Sequence, residues 1–203
     1  MAVLYLAEVD FSSDEVYLKD LPSGFLFGSE GYKRAEDRSR SLCCRWLLYS
    51  HLKKEGFRTA DERILYKRGE KPLLEKAPLQ FSFSHSGSLS ALLIDRSPCG
   101  VDVEAVRHLD ADRLASRMLE EEDYRAFSLS EDKNRDFIAL FTKMEARGKC
   151  LGTGLLRKRV SLAELSAVKT QKLSCNGEEY FLSYLSKEDP QIFLVGENIA
   201  FEK

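Results

Sequence analysis

Along the chain the spacing of apolar residues changes several times, and each change marks a predicted element. Residues 2–9 alternate well enough for a strand. Pro22, Gly24 and Gly28 then predict a loop. Residues 33–54 hold no Gly or Pro. Leu42, Trp46 and Tyr49 recur there at helical spacing, with Arg34, Arg38 and Arg45 near one polar side, so a long helix ending near Gly56 is expected. Short extended segments are expected at 63–67 and after Pro72, separated by RGEKP. FSFSHSGS then leads into the apolar strand LSALLID, and a turn at Pro98 and Gly100 leads into the strand VDVE. Residues 110–127 return to helical spacing through Leu114, Met118 and Leu119. A second long helix is predicted from about Glu131 to about Cys150, with Phe137, Leu140, Phe141 and Met144 as its apolar positions and Gly152 and Gly154 as its stop. From Val160 the pattern is one of strands, with turns at Asn176-Gly177 and Asp189-Pro190.

Two halves of similar outline emerge: each has a long helix ending near glycine and then a pair of strands. ERILYKRGEKPLL in the first parallels EEYFLSYLSKEDPQIFLV in the second. No low-complexity segment separates them. A chain of 203 residues suffices for one core or two small ones.

The net charge of −2 does not indicate a general affinity for nucleic acid or anionic membrane, so any anion site must be a local basic cluster. No apolar run reaches the roughly 20 residues of a membrane span. The first residues, MAVLYLAEVDFSSDE, have no basic flank and read as a strand, not a signal peptide. The five cysteines, Cys43, Cys44, Cys99, Cys150 and Cys175, form no CxxC pair, which fits buried thiols in a reducing cytoplasm.

Chemistry gathers in four places. In Gly100-Val101-Asp102-Val103-Glu104, strand alternation sends the valines to the core and projects Asp102 and Glu104 together from the other face. Two neighbouring carboxylates repel, and Mg²⁺ suits a site of few carboxylates, water and phosphate oxygens. A solvated edge strand with two surface acids has the same short pattern. Glu145 and Lys149, four apart on the second long helix, share a face with Thr142. They suit a metal-bound phosphate, and equally an ordinary salt pair. Ser84-His85-Ser86-Gly87 offers hydroxyl, imidazole and backbone contacts to phosphate. His51 and His108 lack such a context. Lys33, Arg34, Arg38 and Arg40 form one basic cluster, and Arg68 with Lys71 a second.

In order, the chain presents a basic helix, EKP, FSFSHS, GVDVE and FTKMEARGKCLG. This set resembles the phosphopantetheinyl transferase superfamily, in its larger, pseudodimeric Sfp-type class. That family runs through a GKP-like turn, a Ser-His-Ser block, Gly-[VI]-Asp-[VI]-Glu and Trp-[ST]-x-Lys-Glu-Ala-x-x-Lys. The best match covers about residues 66–155, with a weaker one back to about residue 30. The resemblance implies an α+β fold of two similar α/β halves related by a pseudo-twofold, each a small antiparallel sheet packed against a long helix. The halves would be 1–98, with the coenzyme A nucleotide contacts, and 99–203, with the metal site and the carrier-protein side, and the active site would lie in the cleft between them.

The resemblance further implies transfer of the phosphopantetheine arm of coenzyme A to a serine of an acyl or peptidyl carrier protein, with Mg²⁺ as cofactor. Asp102, Glu104 and Glu145 would hold the metal. Glu145, Lys149 and His85 would be catalytic. Lys71, Ser84, His85, Ser86, Arg40 and Lys149 would line the coenzyme A site. A cytoplasmic monomer is expected, and Arg107, Arg113 and Arg117, with Leu114 and Met118, are the candidate carrier-docking segment. Three positions depart from the family: Phe141 replaces tryptophan, Glu70 replaces the glycine of GKP, and Met144 replaces a lysine, which removes a positive charge next to the metal glutamate. The rival readings are a coenzyme A or carrier-protein binding module without transfer, for which Met144 is the best support, and another Mg²⁺-dependent phosphoryl enzyme such as a nuclease or phosphohydrolase.

Overall fold

A computed structural model describes residues 1–26, 31–66, 70–154 and 159–202. Gly28, Arg68 and part of the expected 63–67 segment lie outside the described residues. The chain opens with β1 (Val3–Glu8), a short helix α1 (Glu15–Leu18), a 3-10 turn and the long helix α2 (Ala35–Lys54). The short strands β2 (Ile64–Leu65) and β3 (Leu73–Leu74) pair with each other. The hairpin β4 (Gln80–Ser86) and β5 (Leu89–Asp95) follows, then β6 (Gly100–Ala105). Helices α3 (Ala111–Met118), α4 (Glu121–Ser128) and α5 (Lys133–Leu151) lead through a second 3-10 turn, Leu162–Leu165, into the hairpin β7 (Lys169–Cys175) and β8 (Glu178–Leu185). Strands β9 (Gln191–Val195) and β10 (Ile199–Phe201) end the chain.

Among the described residues the strands form two four-stranded sheets, ordered β4-β5-β1-β9 and β10-β7-β8-β6. A repeat is visible in that order. A first strand (β1, then β6), a long helix (α2, then α5) and a hairpin (β4-β5, then β7-β8) recur, and each hairpin's second strand pairs antiparallel with the first strand. The counterparts in strand order are 80–95 and 169–185, whereas ERILYKRGEKPLL, expected to parallel EEYFLSYLSKEDPQIFLV, holds the small β2-β3 pair. The antiparallel expectation also needs correction in the first sheet. β9 crosses over from the end of the chain and pairs parallel with β1.

Alternation along the strands divides the core. Ala7, Phe81, Leu92 and Ile94 turn to α2 and pack on Leu42, Leu48 and Leu52. Leu4, Leu6, Leu89 and Leu93 turn the other way and share a cluster with Val101, Val103, Leu173, Tyr180 and Leu182 of the second sheet. The layers thus run helix, sheet, sheet, helix, with α5 outside the second sheet. A smaller cluster joins α5 to α3, α4 and the 162–165 turn. The predicted helix over 110–127 is two helices, broken at Leu119-Glu120, where the backbone bonds to distant Val160. No helix of the described residues is long and apolar enough to cross a membrane, and all five cysteines are free.

Candidate active site in the cleft between the sheets

The site is built from β4, β6 and α5. On β6, Val101 and Val103 are fully buried between the sheets, as the alternation requires. Asp102 and Glu104 face the other way, under α5. Helix α5 comes this close because residue 100 is glycine: a Cβ there would stand 1.9 Å from the Ala146 carbonyl oxygen and 2.5 Å from the Cys150 nitrogen. The helix is capped at its start by the Asp132 side chain and stopped by Gly152 in a left-handed conformation. Its sheet-facing side carries Thr142, whose hydroxyl meets that of Ser183 on β8 at 2.8 Å. On the same side Lys149 reaches Asp102 Oδ1 at 2.7 Å.

Ser84 Oγ donates to the same Asp102 oxygen at 2.6 Å, and Ser86 Oγ donates to Glu104 Oε2 at 2.9 Å. Glu104 also accepts from the Arg107 guanidinium at 2.5 Å. Asp102 is 4% exposed. Burial raises its pKa, Lys149 and Ser84 counter this, and the Glu104 charge raises it further. Glu145 is raised chiefly by burial, and the negative charges of Asp102 and Glu104 add to the rise. The structure therefore brings all three predicted carboxylates into one electrostatic group.

Further basic side chains lie nearby. Arg40 on α2 donates Nε–H to the Gly87 carbonyl at 2.6 Å and pairs with Asp37 at 2.8 Å. This fixes it beside the Ser-His-Ser block. His85 has its pKa lowered by burial first, then by the charges of Arg40 and Lys149, so its imidazole is held neutral between two cations. Lys71 donates to the Cys99 carbonyl at 2.6 Å, and burial lowers its pKa.

A cleft of about 550 Å³ is lined by Ser84, His85 and Lys149 together with Tyr32, Arg45 and Tyr66. An adjoining cavity of about 330 Å³ is lined by Lys71, Phe83, Lys149 and Gly152. Arg45 and Tyr66 were not picked out as site residues by their sequence context. Arg45 looked like one more cation on a polar helix face, but it is 2% exposed, with its guanidinium on the Tyr66 ring and hydroxyl. Ser82, also missed, faces the seam beside Ser84. A third cavity of about 550 Å³ lies between α4, α5 and the 162–165 turn, lined by Phe127, Leu140 and Lys143, and contains none of the predicted site residues.

Three further residues fall away from the site. Met144 is 2% exposed in the α3–α5 cluster, so the position where the family has lysine is a core position here and its side chain does not face the carboxylates. His51 bonds Tyr5 and His108 bonds Asn134, which are structural roles.

As they stand, no three His, Cys, Asp or Glu side chains among the described residues form a group able to hold a metal ion; Lys149 and Arg107 occupy two of the carboxylates. The donor set nevertheless fits a hard cation. Asp102 Oδ2 and Glu145 Oε1 are buried without a hydrogen-bond partner, and a buried carboxylate oxygen left so is costly unless a cation or donor meets it.

Residues 98–195 match the model of the 4'-phosphopantetheinyl transferase superfamily. That stretch carries Asp102, Glu104, Glu145 and Lys149, while the Ser-His-Ser block lies outside it. Over 133 residues the chain is 28% identical to 4'-phosphopantetheinyl transferase psf-1 of Bacillus pumilus, an alignment that covers 63% of this chain and 56% of that protein. The chain thus spans a little over half the length of this relative. Both findings bear out the resemblance to the phosphopantetheinyl transferase superfamily read from the motifs.

Proposed function

We propose that this chain is a 4'-phosphopantetheinyl transferase of the Sfp type, a holo-carrier-protein synthase. It would move the phosphopantetheine arm of coenzyme A onto a serine of an acyl or peptidyl carrier protein. The observation that carries this reading is the convergence of three distant segments on one cleft. Lys149 of α5 and Ser84 of β4 meet on the Asp102 carboxylate of β6, and His85 borders the same space. A group of acids with Lys149 on one of them, and with Arg40 and His85 nearby, suits a pyrophosphate that is itself bound through a cation.

Asp102, Glu104 and Glu145 would hold Mg²⁺, which when bound neutralises charge on the phosphate oxygens. Lys149 and His85 contact those oxygens, His85 by donating a ring N–H. The carrier serine attacks the phosphorus that bears the pantetheine arm, and adenosine 3',5'-bisphosphate leaves. Glu145 takes the serine proton. Arg40 and Lys71 border the nucleotide, and Ser84 and Ser86 stand beside them with their protons on Asp102 and Glu104. Positioning and electrostatics supply most of the rate, as in phosphoryl transfer generally.

The two halves, 1–98 and 99–203, stand in this reading as pseudo-twofold relatives that share the cleft, so a monomer suffices. The repeated strand order supports that relation. Carrier docking falls to the α3 side. Leu114 and Met118 are partly packed into the helical cluster, and Arg107 is paired with Glu104; the exposed Arg117, with Arg113 in its surface pair with Asp110 at 3.6 Å, would meet an acidic partner. The free thiols fit a cytoplasmic setting. The reading of a binding module without transfer loses its best support, because Met144 belongs to the core.

The test is the intact mass of apo carrier proteins after incubation with this protein, coenzyme A and Mg²⁺. A gain of roughly 340 Da, abolished by Glu145→Gln and by a chelator, is the expected result. It should weaken with charge reversal at Arg113 and Arg117. No gain across several carriers, with coenzyme A still bound, would sink the transferase.

A further inference from the structure

The two sheets are joined at β4 and β6 by side chains. Both are edge strands of their own sheets. β6 turns the N–H groups of Val101, Val103 and Ala105 away from its ladder partner, and buried N–H groups need acceptors. They find them in the hydroxyl oxygens of Ser82, Ser84 and Ser86, at 3.1, 3.3 and 3.1 Å. Alternate positions on one strand meet alternate positions on the other, so all three bonds form in a single register.

A serine hydroxyl has one proton to give. Ser84 gives it to Asp102 and Ser86 gives it to Glu104. Each hydroxyl is therefore fixed twice, by a backbone N–H on its oxygen and by a carboxylate on its proton. Its rotamer then sets the orientation of the carboxylate together with the cation on the same oxygen, Lys149 on Asp102 and Arg107 on Glu104. Ser82 makes the same seam bond but, among the described residues, no bond to a carboxylate.

We propose that Ser84 and Ser86 are positioning residues that aim Asp102 and Glu104 at a divalent cation, while Ser82 serves only the seam. This assignment rests on the reading of the cleft as a cation-dependent transferase site. It differs from a nucleotide-contacting role, because a proton committed to a carboxylate is not available to a phosphate oxygen. Partners that orient metal ligands typically contribute 10–100-fold to metal affinity.

Mn²⁺ titrated into the full chain and followed by electron paramagnetic resonance tests this without turnover. Ser84→Ala and Ser86→Ala should each weaken Mn²⁺ binding about tenfold. Ser82→Ala should stay within twofold of the unaltered chain, although in urea melts it should lose stability as the other two do. Ser86→Thr, which keeps the hydroxyl, should restore binding. Ser86 is only half-buried, so its variants decide the matter if Ser84→Ala does not fold. Unchanged Mn²⁺ affinity in Ser86→Ala, with coenzyme A binding weakened instead, would overturn the assignment in favour of nucleotide contact. A chain that binds no Mn²⁺, or an Asp102→Asn variant that binds it undiminished, would overturn the cation reading itself.

Discussion

Met144 directly precedes Glu145 in the chain, yet the two side chains have different surroundings. Successive helical residues are turned by about 100°, enough to send one into the α3–α5 cluster and the other toward Asp102. A lysine at 144 would bury an ammonium group among Leu119, Phe137 and Leu165. Met144→Lys should therefore cost stability by about 3 kcal/mol or more, whereas Met144→Leu should cost under about 1.5 kcal/mol. Urea melts of the two variants check this, and a Lys variant as stable as the parent would show that the side chain escapes the core. Asp102 and Glu104 were legible in the sequence because strand alternation is a local rule. The protons of Ser84 and Ser86 were not, because the carboxylates that accept them lie 18 residues away on another sheet. The burial of Arg45 was hidden for the same kind of reason, since a helical position gives the facing direction but not what covers it.

At the scale of elements, α5 shows how one helix serves two surfaces. Phe137, Leu140 and Met144 pack on the small helices, and Thr142, Ala146 and Lys149 face the second sheet. The sequence revealed the apolar stripe, and the functional face was legible through the Glu145–Lys149 spacing. The break at Leu119-Glu120 was not legible. No Gly or Pro marks it, and the interruption is imposed by the backbone bonds of Met118 and Glu120 to Val160. The approach of α5 to β6 depends on Gly100, since the atoms a Cβ would strike are backbone atoms of the helix. Gly100→Ala should push the helix off the strand, cost on the order of 3 kcal/mol, and separate Lys149 from Asp102. Melts and chemical-shift changes centred on residues 146–150 are the measurements. A variant that keeps both stability and the ion pair would mean that the backbone yields without loss.

Over the whole molecule, the repeat was legible as a count of helices and strand pairs but not as a pairing. Short strands resemble one another, so the pattern of the β2-β3 segment is as close to that of 178–195 as a true counterpart would be, although β8 and β9 belong to different sheets. The parallel addition of β9 to β1 joins residues nearly the full chain apart, and no local pattern announces such a contact. The consequence is that neither half closes its own core. In the first half, Leu4, Leu6, Leu89 and Leu93 are buried in the cluster that the second sheet completes. Four leucines at about 1.5–3 kcal/mol each come to roughly 6–12 kcal/mol, comparable to the whole stability of a domain, about 5–15 kcal/mol. Cutting after residue 98 would also leave β1 without β9 and Ser82, Ser84 and Ser86 without the N–H groups of β6. A fragment of residues 1–98 should therefore show poorly dispersed amide resonances and no cooperative melt, and should recover both when the 99–203 fragment is added. A 1–98 fragment that folds cooperatively by itself would mean that α2 alone stabilises the first sheet, and the shared cluster would then be an interface between two independent domains.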